Sequence, residues 1–352
     1  MMARYPAVPL CVREKWANAQ RGCAPGHQFT IYFAIWAENW RSVDREKSAA
    51  LKECLSLESV AELSAAVRQR QRAACQSTPE DNHLILDARS IAPFATGLGI
   101  EHPVENGFAF LTPYGIPYLA GSGVKGVLRK AAEDRYPNNK ALVEMLFGTE
   151  NEQDEQGGAA ADVKLTRGAL TFWDVFPVPM PNGATALRVE VMTPHHSNYL
   201  QKTGTPNDSE QPIPIPFLVV PAGFRFSFLV TCDPKRITLD LGEKSWKQVV
   251  EDLFFDAFSW LGFGAKTAVG YGAMELSSME CQWVSDTIIA LSRPGVQEPL
   301  FGRALAEAWR MIPDARLKEE ALRDIKGRWG TEWNLDRTPG RARARAIYEG
   351  PV

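Results

Sequence analysis

The strongest local constraint in this chain is a glycine-rich stretch from Tyr114 to Arg129, which reads YGIPYLAGSGVKGVLR. Apolar residues at its start predict a short strand, and the pattern from Lys125 to Tyr136 predicts a helix. The glycines between them predict a tight turn, because glycine adopts positive φ and lets another backbone approach closely. The stretch is therefore predicted to fold as strand, turn and helix.

The same turn is a candidate site for a phosphate-bearing ligand. A helix N-terminus has free N–H groups and partial positive charge, and Lys125 adds a full charge there. The alternative, of about equal weight, is a tight turn that only packs the helix on a sheet and leaves the lysine exposed. The residues of the candidate site are Gly121, Ser122, Gly123, Lys125, Gly126 and Arg129.

A second glycine-rich stretch favours a ligand over an ordinary turn. Residues 262–272 read GFGAKTAVGYG, after a predicted helix over 245–261 and before a predicted strand over 271–276. The stretch is not a Walker A loop, because Ala265 rather than glycine precedes Lys266 and Thr267, so ATP binding is not supported. The residues that it adds to the candidate site are Gly262, Gly264, Lys266, Thr267 and Gly270.

Together, the two stretches resemble signatures of the RAMP superfamily of CRISPR-associated proteins. PYLAGSGVKGVLR resembles its strand–loop–helix motif, and GFGAKTAVGYG resembles its C-terminal glycine-rich loop. Three further pieces, ATGLGIEHPVENGFAF, GALTFWDVFP and EVMTPHHSNYL, occur in an order that resembles the family of sixth subunits of the Cmr complex, the type III-B effector. The resemblance covers roughly residues 83–283.

This resemblance implies an α+β fold and a role in an RNA-guided complex. Residues 83–283 would form a ferredoxin-like, RRM-type RAMP domain, with a mostly helical N-terminal extension over 1–82 and a helical C-terminal extension with a basic tail over 284–352. The protein would be a non-catalytic subunit that holds the 3′ portion of the guide RNA near the end of the filament. Its partners would be guide RNA, target RNA and other RAMP subunits of the Cmr complex, with no cofactor and no metal.

Composition and cysteine usage fit such a subunit. The formal net charge is −3, which counts mildly against a free-standing nucleic-acid binder but suits a subunit with a local RNA contact. Six scattered cysteines without a CxxC pair or a secretory leader predict reduced thiols and a cytoplasmic location. Cys11, Cys23 and His27 have irregular spacing and lack a fourth ligand for zinc. No apolar run is long enough to span a membrane.

Three further patterns predict local structure. Aromatic residues between Phe29 and Trp40 recur at spacings of 3, 4 and 7, which predicts one core-facing helix. Residues 216–231 predict a hairpin that turns at 221–223, with Phe224, Phe226 and Phe228 on its core face. Residues 193–211 predict a long polar loop, a kind of segment that is often functional or disordered.

Two alternatives to the RNA-binding hypothesis stay open. RAMP relatives that process guide precursors cleave RNA without metal, and His195 with His196, or else His102, would be the candidate acid and base. The backbone cleaving subunits use an aspartate in the loop after the first strand. Here the alternation over residues 83–92 predicts the first strand, Asp87 falls within it, and the loop over 95–107 holds no aspartate. The sequence therefore favours a non-enzyme. The other alternative is a protein-interaction module whose glycine loops pack only against neighbouring subunits.

Overall fold

The structure, a computed structural model, describes residues 4–13, 22–149, 165–179, 186–193, 205, 214–242 and 244–276. Residues 1–275 form one compact unit, which contains nearly all of the described residues. The predicted C-terminal extension and its basic tail lie outside the described residues.

Three α-helices that lie wholly within the described residues precede the first strand and contribute to the same core as the strands. They are α1 (Pro25–Thr30), α2 (Lys47–Lys52) and α3 (Ala61–Gln76). Phe29 of α1 and Leu51 of α2 are 2% and 0% exposed, in one apolar cluster with residues of the sheet. The N-terminal helices are therefore packed into the core rather than laid on its surface.

The single helix predicted over the aromatic residues 29–40 is wrong. Helix α1 ends at Thr30, and Phe33 is buried outside any helix. Trp36 pairs through its backbone with Tyr5, with N–O distances of 2.8 and 3.1 Å in the two directions. Pairing with a distant segment therefore determines the backbone here, and it overrides the helical spacing of the aromatic side chains.

Within the described residues, eight strands and three more α-helices follow. The strands are β1 (His83–Ser90), β2 (Phe110–Leu111), β3 (Ile116–Pro117), β4 (Leu170–Phe172), β5 (Arg188–Met192), β6 (Ile215–Val219), β7 (Arg225–Cys232) and β8 (Met274–Leu276). The helices are α4 (Gly121–Arg135), α5 (Lys140–Phe147) and α6 (Trp246–Asp256). A π-helical turn over Ala257–Leu261 extends α6.

The main sheet has four strands in the order β4-β7-β1-β8. Strand β7 runs antiparallel to both β1 and β4. The Ile91 amide donates to the Ala273 carbonyl at 3.0 Å, and Arg89 forms an ion pair with Glu275, so β8 also runs against β1. Helices combined with antiparallel sheets confirm the predicted α+β class.

One face of this sheet carries the aromatic core, as predicted. Phe226 and Phe228 are at most 1% exposed, and the Phe228 ring centroid lies 5.2 Å from that of Phe254 and 4.9 Å from that of Phe263. Helix α6, which begins at a capping box formed by Ser245, packs against α4 above this face. Burying these rings removes a large apolar area from water and stabilises the pairing of helices and sheet.

Helix α3 contacts the opposite face of the sheet. Asp87 of β1 and Ser227 of β7 are directly opposite in the register, and the Ser227 hydroxyl donates to the Asp87 carboxylate. The Arg72 guanidinium of α3 lies 3.8 Å from the same carboxylate, which is 3% exposed. A buried carboxylate needs such partners, and these partners hold α3 on this face.

The hairpin predicted over 216–231 is wrong in its pairing. Strand β6 pairs with β5, with Arg188 opposite Val219, whereas β7 pairs with β1 and β4. The Val220 amide donates to the Phe94 carbonyl at 2.8 Å, so the chain pairs with residue 94, and not with β7, just before the turn at 221–223. Each strand has a partner from elsewhere in the chain, which local turn residues do not reveal.

Among the described helices, none is long and apolar enough to cross a membrane.

Candidate nucleic-acid interface

Helix α4 begins at Gly121, one turn earlier than the predicted start at Lys125. The Gly121 amide donates to Asp174 Oδ1 at 2.7 Å, which supplies a carboxylate at the positive end of the helix. A Cβ on Gly121 would lie 2.3 Å from the Phe172 carbonyl oxygen. The glycines predicted as a turn thus belong to the helix, because close packing and this carboxylate offset their weak helix propensity.

The next residues of α4 present an open face. Ser122, Gly123 and Gly126 are exposed. A Cβ on Gly126 would meet nothing within 4 Å, and a Cβ on Gly123 would come no closer than 3.3 Å to the Leu119 side chain. Packing therefore does not require glycine at these two positions, and their absent side chains leave the helix backbone accessible.

Lys125 of α4 lines an open cavity of about 270 Å³ together with Gly121 and Ser122. Its side chain is half-buried, and no carboxylate in the described part of the chain lies within 4.0 Å of its ammonium group. The other lining residues are Phe147, Gly148, Thr149, Thr166, Arg167, Gly168, Leu170, Thr171 and Phe172.

Arg129, also predicted as a phosphate contact, is engaged within the protein. Its side chain is 12% exposed. The guanidinium donates to the Gly148 carbonyl at 3.0 Å and lies 3.4 Å from the Glu133 carboxylate. Arg129 therefore joins α4 to the residue that follows α5.

The second glycine-rich stretch, 262–272, is a loop in which several glycines are required by the fold. Gly262 and Gly264 have φ of +70° and +91°, in the left-handed region that favours glycine. A Cβ on Gly264 would lie 2.2 Å from the Ala95 carbonyl oxygen, which accepts a hydrogen bond from the Ala265 amide at 2.7 Å. These glycines let the loop lie against residues 93–95.

Lys266 is held at the surface of this loop. Its φ is +61°, and its ammonium nitrogen lies 5.5 Å from the centroid of the Phe217 ring, within cation–π distance. No carboxylate of the described residues lies within 4.0 Å of it. Thr267 begins a single 3₁₀ turn, and Gly270 follows that turn with φ of +90° and open space around its Cα.

Tyr271 links the loop to the β5–β6 sheet. Its hydroxyl donates to the Glu190 carboxylate of β5, which also forms an ion pair with Arg188. Burial, together with the Glu190 carboxylate, raises the pKa of Tyr271 to about 12. The glycine loop is thus attached to the strand that leads into the predicted 193–211 loop, most of which lies outside the described residues.

The two predicted halves of the site do not meet. Residues 121–129 pack against the chain around β4, whereas 262–272 pack against 93–95 and β6 and lead into β8. Strands β4 and β8 are the opposite edges of the main sheet. The two halves are therefore separate candidate contacts.

Of the histidines proposed as catalytic, only His102 lies in the described part of the chain. Its ring stacks on Phe29 with centroids 3.8 Å apart, and its Nε2 lies 3.0 Å from the Phe29 carbonyl oxygen. Burial lowers the pKa of His102. His195 and His196 lie outside the described residues. The described residues contain no group of three or more metal-binding side chains.

No pattern in the sequence pointed to the rest of the cavity around Lys125. Thr149 lies before residues 150–164 and Arg167 lies after them, and the fold pairs the two ends through a bridge between Gly148 and Arg167. No local spacing connects these residues to Lys125.

Comparison with protein families identifies the class of this chain. The model of the RAMP superfamily matches residues 87–275, which is more than half of the chain. The chain therefore belongs to the RAMP superfamily, as the glycine-rich stretches predicted.

Individual relatives are Cmr subunits. The chain is 26% identical over 225 residues to Cmr6 of Pyrococcus furiosus and 27% identical over 200 residues to Cmr6 of Saccharolobus solfataricus. These matches cover 51% and 57% of this chain and 63% and 58% of the relatives, less than two thirds of either relative's length. The predicted resemblance to a Cmr-type RAMP protein is confirmed.

Two solved structures are similar in part. A type III-B Cmr-β complex bound to cognate target RNA has a chain with TM-score 0.46 and 18% identity, and the match covers 66% of this chain and 71% of that one. The crystal structure of Cmr6 from Pyrococcus furiosus has TM-score 0.31 and 22% identity, and the match covers 55% of this chain and 98% of that one.

Proposed function

We propose that this protein is a non-catalytic, RNA-binding subunit of a type III-B CRISPR effector complex. It holds the 3′ portion of the guide RNA near the end of the filament, where the target RNA pairs with the guide, and it contacts neighbouring RAMP subunits. The observation that carries the proposal is the pair of lysines, Lys125 and Lys266, in the two glycine-rich stretches, each without a carboxylate partner among the described residues.

The order of elements supports a ferredoxin-like, RRM-type domain. Along the chain, the main sheet and its helices run β1-α4-β4-β7-α6-β8, and in space the strands run β4-β7-β1-β8. This is the β-α-β-β-α-β arrangement, with the first and third strands adjacent at the centre. Strands β2, β3, β5 and β6 are then insertions into that arrangement.

The RNA contact assigned here differs from that of a simple RRM. An RRM stacks bases on the open face of its sheet. In this chain helix α3 packs against β7 on that face, and Arg72 and Ser227 engage Asp87 there. The glycine-rich stretches at the two edges are better placed for RNA, and lysine contacts with phosphates would be independent of base sequence. The guide's own base pairing would then select the target.

The absence of catalysis is supported by what the candidate groups do in the fold. The Asp87 carboxylate is buried with two partners, and His102 is stacked and hydrogen-bonded. His195 and His196 remain the alternative, as the acid and base of a metal-independent guide-processing endonuclease. Incubation of the purified protein with repeat-containing RNA in chelator tests this alternative. Cleavage that is lost in H195A/H196A would replace the non-catalytic assignment.

The RNA-binding assignment is tested with the double variant Lys125→Ala/Lys266→Ala. Removing two phosphate contacts should weaken single-stranded RNA binding about tenfold near physiological salt, and should reduce the slope of log K against log salt by about 1.4. The matched control is Lys130→Ala/Lys244→Ala, which removes the same charge from lysines that pair with Asp134 and Asp252.

Affinity is measured by fluorescence anisotropy across a salt titration, and the fold is checked by circular dichroism. The control variant should bind more tightly than the test variant. Equal affinity and equal slope for both variants would remove the two lysines from the RNA contact.

A further inference from the structure

We propose that the cavity beside α4 is a phosphate-binding site formed by Lys125 and Arg167, with Thr149 and Thr171 as hydroxyl donors. Arg167 and the two threonines are outside the glycine-rich stretches, and their role follows only from the fold. The inference rests on the proposed function in one respect, because one of its two phosphate sources is the backbone of the bound RNA.

The walls of the cavity come from α4 and from two segments joined by backbone hydrogen bonds. The Thr149 amide donates to the Thr166 carbonyl at 3.1 Å, and the Thr166 amide donates to Thr149 Oγ1 at 2.7 Å. A Cβ on Gly168 would lie 2.4 Å from the Leu146 carbonyl oxygen, so the two segments are in close contact. The side chains that line the cavity are therefore attached to a fixed frame.

The charge in the cavity is positive. Among the described residues, no carboxylate lies within 4.0 Å of the Lys125 ammonium group or the Arg167 guanidinium. The neighbouring Arg129 donates to the Gly148 carbonyl, and Arg236 donates to the Arg167 carbonyl, but these two pair with Glu133 and Asp233. Two cations without a carboxylate partner that line one cavity favour an anion in it.

The neutral groups select phosphate among anions. Thr149 Oγ1 accepts from the Thr166 amide, and Thr171 Oγ1 accepts from the Arg167 guanidinium at 3.1 Å. Each hydroxyl then keeps its own O–H to donate to a ligand. A phosphate offers several acceptor oxygens to hydroxyls, a lysine and an arginine fork at once. The site does not depend on the first amide of α4, because Asp174 occupies that amide.

The size of the cavity fits more than a bare ion. At about 270 Å³ it holds far more than one water molecule, and Phe172, Leu170 and Phe147 supply an apolar part of the lining. A phosphate with part of its sugar fits this mixture of polar and apolar groups. The phosphate belongs either to a phosphodiester of RNA or to a free nucleotide.

The test compares three variants of the whole chain with the wild type. The cavity variant is Lys125→Gln/Arg167→Gln. The control is Lys130→Gln/Arg89→Gln, which removes the same charge from residues paired with Asp134 and Glu275. A third variant, Thr149→Val/Thr171→Val, removes the two hydroxyls without changing charge, so it separates direct contact from long-range attraction. Circular dichroism verifies that each variant is folded.

Two probes distinguish the phosphate sources. Single-stranded RNA is titrated by anisotropy, and AMP or inorganic phosphate is followed by the shift in thermal midpoint at constant ionic strength. The RNA source predicts about tenfold weaker RNA binding for the cavity variant than for the control, with a smaller loss for the threonine variant. If the source is a nucleotide, AMP should raise the thermal midpoint of the wild type but not that of the cavity and threonine variants. The cavity variant should then bind RNA as tightly as the control does.

The outcomes separate this inference from the proposed function. The wild type could bind no RNA and yet be stabilised by AMP, while the cavity variant is not stabilised. In that case the proposed function fails and the phosphate site stands. If the wild type binds RNA and the cavity variant equals the control with every probe, the phosphate site is wrong, Lys125 is removed from the RNA contact, and the proposed function then depends on Lys266. No binding of any probe by the wild type would overturn both.

Discussion

The two glycine-rich stretches have similar compositions but different structures. In α4 the glycines lie in a helix, where only Gly121 is tightly packed and Gly126 faces open space. In the loop over 262–272 the glycines adopt left-handed φ, and Gly264 lies directly against the chain at Ala95. Most glycines of the loop serve close packing, whereas in α4 glycine mainly exposes the helix backbone beside Lys125.

The same difference applies to the lysines. Lys125 lines a cavity that Arg167 also lines, whereas Lys266 lies over the ring of Phe217. Most glycines of the loop therefore fit the alternative in which glycine serves only packing. The exposed face of α4 fits the ligand hypothesis. A composition rich in glycine and lysine does not separate these two uses, because the neighbours that decide them come from elsewhere in the chain.

The largest expected effect is in the loop. Gly264→Ala introduces a Cβ 2.2 Å from the Ala95 carbonyl oxygen at φ of +91°, so it should lower the free energy of unfolding by about 3 kcal/mol or more. Gly270→Ala, with φ of +90° and open space, should lose only about 1 to 2 kcal/mol from backbone strain. Urea denaturation measures both. Equal losses would show that the Ala95 contact does not matter.

The two glycines of α4 should respond with opposite signs. Gly121→Ala places a Cβ against the Phe172 carbonyl and should destabilise the fold by about 2 kcal/mol. Gly126→Ala meets nothing and should stabilise it by about 0.5 to 1 kcal/mol, because alanine is the better helix former. Thermal or chemical unfolding of both variants tests this contrast. Destabilisation by Gly126→Ala would mean that this face of the helix is packed.

The smallest expected effect is a difference in stability between substitutions of the two lysines. Lys266→Met removes the cation from the Phe217 ring and should lower the free energy of unfolding by about 0.5 kcal/mol. Lys125→Met removes no such contact and should leave stability within about 0.5 kcal/mol of the wild type, with no consistent loss. Repeated urea titrations at matched salt are needed for this difference. A larger loss for Lys125→Met would assign that lysine a structural role.

Local patterns were sufficient to predict some elements. Strand β1, helix α6, and the buried face of Phe226 and Phe228 follow from side-chain periodicity within a few residues. The RAMP assignment followed from motifs that are contiguous in the sequence, and the family match over 87–275 agrees with it.

Features that depend on distant partners were not predictable. Strand β6 pairs with β5 instead of β7, and Trp36 pairs with Tyr5 instead of continuing a helix. The start of α4 depends on Asp174, and Arg167 reaches the cavity only because Gly148 pairs with it. In each case the decisive contact joins segments whose proximity exists only in the folded chain.

The most direct test of the central claim is crosslinking of the protein to guide RNA in the co-purified complex, with peptide mapping. The account predicts crosslinks within 121–130 and 262–272, and the cavity adds crosslinks within 165–172. Stable assembly with RAMP partners but no crosslink in any of these segments would contradict it, and the glycine-rich stretches would then be packing elements of a protein-binding subunit.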